Sequence, residues 1–331
     1  MATIDDVARL AKVSTASVSR ALSGSRGVRA ETLARVTAAA NRLNYKVNPV
    51  ASALRGRVTR TVGMVVPDIT NPFFPAVVKT VEDALHNSGM SLFLCDANDS
   101  PDVEAERLAA LLARSVDGVI ISPVDVQRSR AAVLAASKRV ALVQVDRFVN
   151  VDSDIVSVDH RRGIQLVVEH LAGQGCSSFA FVTTARRFSI AAERYQAYVD
   201  CTRPIDRPSA KRVLAGDLSA AWGEEAAARL AKAGAPEAVV CANDLIAIGV
   251  LRTFRRLGVK VPQDVAVTGY DDLMVADMLD AGLTTVRQPL EQLGQEAVHF
   301  VLSGIESPDG PRRQLRLLPE LVVRGSTSRL S

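Results

Sequence analysis

The sequence predicts two unlike parts in one chain: a small all-α helix-turn-helix head, then an α/β body of two lobes built on parallel sheets. Three observations predict it. Two short amphipathic segments joined by a tight turn fill residues 3–22. Apolar runs of strand length alternate with helical segments from Thr61 onward. Charge divides the same way: residues 1–60 hold eleven Lys/Arg and three acids, a net of +8, and the remainder holds 29 basic and 33 acidic residues, a net of −4. The whole-chain net of +4 hides this asymmetry. A basic head on a mildly acidic body is the electrostatic footprint of a phosphate-meeting module attached to something else.

In the head, Thr3 with Asp6 makes a capping-box-like start, and Asp5 and Asp6 suit a helix N-terminus. Val7, Ala8, Leu10 and Ala11 give one apolar face. Lys12-Val13-Ser14 reads as a turn, and Ser14 can cap a second helix. There Val18 and Leu22 point inward, leaving Thr15, Ala16, Ser17 and Arg20 exposed. A helix-turn-helix sets the N-terminal residues of its second helix against base edges in a DNA major groove, so duplex DNA is the expected partner. Asn48, Pro49 and Gly56 then mark the cap, first residue and stop of a short helix, marginal alone in water.

In the body, strands are expected at Val62–Val66, Ser91–Cys95, Gly118–Ser122, Val140–Val145, Ile155–Val158, Phe179–Val182, Ala238–Cys241, Val265–Thr268 and Thr284–Val286. Helices between them include Pro75–His86, Val103–Arg114, Arg162–Ala172, Gly223–Ala233 and Leu245–Leu257. The alternation implies parallel sheets with right-handed crossovers, and the series divides near residue 160. Aromatics at 4% against 48% hydrophobic residues make the cores mostly aliphatic. Cys95 and Cys241 lie in apolar runs and are expected to be buried thiols, with no CxxC or CxxH spacing. The chain carries no apolar run long enough to span a bilayer and no basic-then-apolar leader, which points to the cytoplasm.

The strand ends carry polar and aromatic groups where α/β sheets bind ligands. Asp68 to Phe74 follow the first strand, Asp146-Arg147 the fourth, Asn243-Asp244 the run ending at Cys241, and Asp271-Asp272 a later one. Arg194 and Asp271 suit a charged pair that bonds vicinal hydroxyls or a purine edge. Phe73 and Phe74 either cover an apolar ring face or start a helix and pack in the core. Asp244 reads as an N-cap, and His160 and His170 as surface or helix-end residues. The absence of GxSxG, Walker A and HExxH signatures, and of a metal-ligand set, excludes the common enzyme classes and implies no cofactor or metal. A secreted sugar-binding protein would fit the body but not the basic head.

An ordered set of motifs resembles the lactose/galactose repressor family of bacterial transcription regulators. It comprises Thr-Ile-Asp-Asp-Val-Ala at 3–8, Val-Ser-Thr-Ala-Ser-Val-Ser-Arg at 13–20, Leu-Asn-Tyr at 43–45, Asn-Pro at 48–49, Val-Gly-Met-Val-Val-Pro-Asp-Ile-Thr-Asn-Pro-Phe-Phe at 62–74, Asn-Asp at 243–244 and Gly-Tyr-Asp-Asp at 269–272. The resemblance implies a DNA-binding domain at 1–47, a hinge at 48–60 and an effector-binding, dimerising body at 61–331. The body's two doubly wound lobes would be of the periplasmic-binding-protein kind: an N-lobe of about 61–160 with part of 288–331, and a C-lobe of about 161–287. It further implies base reading by Thr15, Ala16 and Arg20. Backbone contacts are expected from Thr3, Ser14, Ser17, Arg26, Tyr45 and Asn48, and a minor-groove wedge from Ala53 and Leu54. A small-molecule effector (sugar, sugar derivative or purine) would meet Phe73, Phe74, Arg147, Arg194, Leu218, Asn243 and Asp271. A homodimer would read a near-palindromic operator, most simply as a repressor. The chain departs from the family pattern at 185–198, where a usually glycine-rich stretch is replaced, at 199–210, and at Leu218, where an aromatic ring is common.

Overall fold

The structure, a computed structural model, describes residues 2–22, 28–45, 59–185, 187–206, 212–279 and 281–328. The chain forms two compact units, Met1–Thr59 and Arg60–Ser331.

In the first unit, α1 (Ile4–Ala11), α2 (Thr15–Leu22) and α3 (Ala30–Arg42) close on a small core of Val7, Ala8, Ala11, Val18, Ala21, Val36, Ala39 and Ala40. These are small or β-branched side chains, so the helices approach closely at little cost in side-chain entropy. Leu10 does not join them: it is 41% exposed. With Val7 and Ala11 fixed inward, position 10 falls on the shoulder of an eight-residue helix.

The second unit holds two parallel sheets. The first has the order β11-β5-β4-β3-β1-β2, from Gln314–Leu317, Asp154–Val158, Ala141–Val145, Gly118–Ile121, Thr61–Val66 and Ser91–Asp96. The second has the order β7-β6-β8-β9, from Val213–Gly216, Phe179–Thr184, Ala238–Cys241 and Ala266–Thr268. All strand pairings within both are parallel. A small antiparallel pair, β10 (Thr285–Arg287) with β12 (Glu320–Val322), stands beside them. β1, β3, β6 and β8 are buried along their whole length, as parallel strands covered by helices on both faces must be. On β1, Val62, Met64 and Val66 enter one core and Val65 the opposite one. The edge strand β2 is half open, with Phe93 and Leu94 exposed. Cys95 is accordingly only partly buried, unlike Cys241, and all four cysteines are free thiols.

The chain passes from the first sheet to the second after β5, through α7 (His160–Gly173). It returns after β10 through α12 (Leu290–Glu306) to β11, and comes back once more to β12. Both sheets share a doubly wound order whose direction reverses beside β1 and β6, and the crevice at such a reversal is where these sheets bind ligands. Helices α4 (Phe73–Asn87), α5 (Pro101–Ala113), α6 (Arg130–Ser137), α8 (Ser189–Thr202), α9 (Ala220–Ala233), α10 (Asp244–Arg256) and α11 (Met274–Met278) fill the remaining crossovers.

Candidate functional site

Two regions gather the polar groups that the packing leaves over. The first is the exposed side of the head. Thr3 caps α1: its hydroxyl accepts from the Asp6 amide at 3.3 Å, and its own amide donates to Asp6 Oδ2 at 2.9 Å. α1 ends at Lys12 in the left-handed conformation, and Arg35 from α3 donates to the carbonyls of Ala11 and, at 3.2 Å, Lys12. The inter-helix turn is thereby clamped from the third helix. Ser14 Oγ accepts from the Ser17 amide at 3.2 Å and lies 2.9 Å from Ser17 Oγ. Thr3, Ser14 and Ser17 thus use their hydroxyls locally. Ala16 and Arg20 are exposed and Thr15 is half-buried, with Arg20 Nε donating to the Ala16 carbonyl at 3.3 Å. Tyr45 is half-buried against the head core. Arg26, Asn48, Ala53 and Leu54 lie outside the described residues.

The second region is the cleft between the two sheets. Asn71, Phe73, Phe74, Asp146, Arg147, Ile190, Arg194, Leu218, Asn243, Asp271 and Gln288 wall one small cavity of about 20 Å³. The structure therefore brings the seven body residues singled out by the sequence to one place. Most follow the carboxyl end of a strand: Asp146 and Arg147 after β4, Leu218 after β7, Asn243 after β8, Asp271 after β9 and Gln288 after β10. Phe73 and Phe74 both open α4, pack edge to face at 5.2 Å, and belong to the core while lining the cavity, so both alternatives hold at once. Asp146 and Asp271 have positive φ angles, 62° and 109°. Positive φ is uncommon outside glycine, although Asp tolerates it better than most residues, and here it aims both carboxyls toward the cleft.

The cleft's charges are buried and incompletely paired. Arg194 lies 3.7 Å over the Tyr270 ring, donates to the Ala242 carbonyl at 2.6 Å, and reaches His160 Nδ1 at 3.2 Å. The expected Arg194–Asp271 pair is not closed: Nη2 and Oδ1 stand 4.0 Å apart. Asp271 instead accepts from Gln288 Nε2 at 2.7 Å. Burial pushes Asp271 up to about 8, against the opposing pull of Arg194. His160, expected at a surface or a helix end, opens α7 but is buried beneath the cleft, where Tyr270 OH also reaches its Nδ1 at 3.0 Å. Burial and the Arg194 charge hold it well below the ordinary imidazole range, so it is neutral. A β-carbon on Gly163 would fall 2.4 Å from the Tyr270 hydroxyl, so this network needs a glycine on α7. Asp146 Oδ1, Arg147 Nε and Nη1, His160 Nε2 and Gln288 Oε1 are buried with no hydrogen-bond partner among the described residues.

The sequence assigns the cap of α10 to Asp244. The cap is Asn243, whose side chain accepts from the Ile246 amide at 2.9 Å. Asp244 is buried and binds the Leu273 amide and the Thr285 hydroxyl, pinning the 271–273 loop. Asn71, Asp146, Ile190 and Gln288 are not among the seven expected contacts. Asp146 and Gln288 carry a usable signal, since each is a polar residue directly after a strand. Ile190 lies in the atypical segment. That segment crosses the cleft: the Val126 amide donates to the Arg187 carbonyl at 2.9 Å, the Phe148 amide to Ser189 Oγ at 3.0 Å, and Arg187 pairs with Asp99. Arg316 and Glu193 add an ion pair at 2.6 Å.

Among the described residues, no helix is long and apolar enough to cross a membrane. Nor could any group of three His, Cys, Asp or Glu among them hold a metal ion. A helix-turn-helix head joined to a two-lobed α/β body is the build of a ligand-sensing transcription regulator. Residues 3–48 match the bacterial regulatory proteins of the lacI family, and residues 168–327 match a periplasmic binding protein-like domain. The chain is 30% identical to the HTH-type transcriptional repressor PurR of Photobacterium profundum, over 100% of each. It is 30% identical to the ribose operon repressor of Halalkalibacterium halodurans, over 99% of this chain and 97% of that protein. A solved lac repressor dimer, bound to operator and the anti-inducer ONPF, superposes with a TM-score of 0.86 at 28% identity, covering 98% of this chain and 99% of that one. The chain belongs to the lacI family of bacterial regulatory proteins, and is a DNA-binding transcription regulator, not an enzyme.

Proposed function

We propose that this protein is a cytoplasmic, homodimeric repressor that binds a near-palindromic operator and responds to a small molecule in the interlobe cleft. The observation that carries the ligand site is the set of buried polar atoms on Asp146, Arg147 and Gln288, residues lining one cavity, that have no partner among the described residues. Such atoms are rare in native structures, and a cleft holding several is built to receive hydrogen bonds from outside the chain. Phe73, Phe74, Arg147, Arg194, Leu218, Asn243 and Asp271 are its effector contacts, joined by Asp146 and Gln288.

In the head, Arg20 reads guanine through O6 and N7, Ala16 offers a methyl contact to thymine, and Thr15 supplies a hydroxyl or methyl. Thr3, Ser14, Ser17, Arg26, Tyr45 and Asn48 fix register on the phosphates. Ala53 and Leu54 of the hinge (48–60) wedge the minor groove at the centre of the site. An effector acts by differential affinity for two lobe arrangements that favour or disfavour the DNA-bound dimer. This reading is supported by relatives named as the transcriptional repressor PurR and a ribose operon repressor, and by the operator-bound lac repressor dimer.

The test is fluorescence anisotropy on a duplex enriched from a random pool by the protein itself. A palindromic product with a half-site guanine is expected. Arg20→Ala should relax specificity at that base and cost about 1–3 kcal/mol there. Enrichment of no sequence would remove the base-reading assignment.

A further inference from the structure

Arg147 stands at the end of β4 with its guanidinium between two rings, 4.0 Å from the Phe188 centroid and 5.4 Å from that of Phe74. The residue is 4% exposed. Its Nε and Nη1 have no hydrogen-bond partner among the described residues. The Asp146 carboxylate is beside it, but at 3.9 Å from Nε it is too far to accept. A buried guanidinium without acceptors costs stability, and a chain keeps one where something else supplies the acceptor.

The charge balance says what that something is. The other buried guanidinium of the cleft, Arg194, already places its donors on Ala242 and His160. Its neighbour Asp271 is engaged by Gln288, and burial keeps that acid protonated up to about 8. At the rim, Arg187 is cancelled by Asp99. Asp146 is the acid beside Arg147, with Asp99 and Glu104 acting on it from farther off, and burial raises both Asp146 and Glu104, which weakens their hold on the guanidinium. Neutral hydroxyls would satisfy the donors and leave the charge unanswered, whereas an oxyanion answers both and matches the guanidinium fork.

We infer that the cleft takes an oxyanion-bearing effector, a sugar phosphate or sugar acid, whose acid group accepts from Arg147 after Phe188 swings off it. The inference rests on the cleft being the effector site. With only about 20 Å³ free, the walls must part for entry, and displacing the Phe188 ring uncovers the guanidinium.

The experiment is calorimetric titration and thermal-shift measurement on the full chain with matched probes: glucose, glucose 6-phosphate and glucuronate; ribose and ribose 5-phosphate; and inorganic phosphate alone. At least one acid should bind about tenfold or more tighter than its neutral partner. The phosphate and carboxylate arms identify which oxyanion is preferred. Arg147→Met keeps the packing between the rings and removes donors and charge; it should erase that difference without lowering the unliganded melting temperature. Arg147→Lys, which restores the charge without the fork, should recover part of it. Equal or tighter binding of the neutral member overturns the inference, as does a panel in which no acid binds. If a neutral sugar binds and Asp271→Asn weakens it, the cleft stands as the effector site and only the oxyanion is lost. Binding indifferent to both Arg147→Met and Asp271→Asn removes the cleft itself.

Discussion

Asp271 concentrates the tension of the cleft in one residue. Its backbone is left-handed at φ 109°, its carboxyl is buried, and Arg194 is too far to bond it. Arg194, Asp244 and Asp146 set its electrostatics, and Gln288 supplies its hydrogen bond. With the folded carboxyl pushed up to about 8, the native state holds a proton that the unfolded chain releases near 3.8. The sign follows from linkage: stability from this group is fully present below the ordinary carboxylate range and is lost as pH rises through about 8. Scanning fluorimetry at constant ionic strength should therefore record a melting temperature that falls between mildly acidic and alkaline buffers. Asp271→Asn, which keeps the shape and tolerates the left-handed backbone, should flatten that fall. Parallel curves for the two proteins would mean that Asp271 titrates normally.

At the scale of elements, the head depends on a contact between helices that no local pattern announces. Arg35 reaches back from α3 to close the carboxyl end of α1, where the last carbonyls otherwise lack partners. Arg35→Ala should destabilise the head by about 1–2 kcal/mol and weaken binding to all duplexes alike, whereas Arg20→Ala acts at one base. Competition titrations with scrambled DNA separate the two, and a base-selective loss in Arg35→Ala would make it a reader instead. Most elements of the body were legible, because fully buried parallel strands such as β1 and β8 must be continuous apolar runs. β7 was not: Val213–Gly216 is a four-residue, half-exposed edge strand whose apolar stretch of three residues is too short to stand out. The wall of the cleft was legible through polar residues following strands. Its floor was not. The contact of His160 with Tyr270 joins residues 110 positions apart, and only the fold brings them together.

For the whole molecule, the question is what holds the two lobes together over so small a cavity. The polar ties described between the lobes lie at the rim, Arg187 with Asp99, Arg316 with Glu193, and two hydrogen bonds from the first lobe to the 187–189 stretch, while Leu245, Leu273 and Val275 of the second lobe pack against the first lobe's core. Arg187 and Asp99 are each more than a third exposed, and so is Arg316, so each pair is worth at most about 1 kcal/mol. The polar ties therefore add little to the closure, and a ligand with unequal affinity for two lobe arrangements redistributes them. Removing both pairs, in Asp99→Asn with Glu193→Gln, shifts that balance by up to about 2 kcal/mol while keeping Arg147 and Asp271 themselves, although Asp99 is also one of the charges that act on Arg147. If ligands enter through the open form, the double variant should bind any effector up to about thirtyfold faster in stopped-flow fluorescence, with each single variant intermediate. Salt should mimic the substitutions in the parent chain and do little in the double variant, because screening acts on the same exposed pairs. An association rate unchanged by substitution and by salt would place the barrier elsewhere, in the packing of Phe188 against Arg147, and Phe188→Ala alone should then accelerate entry.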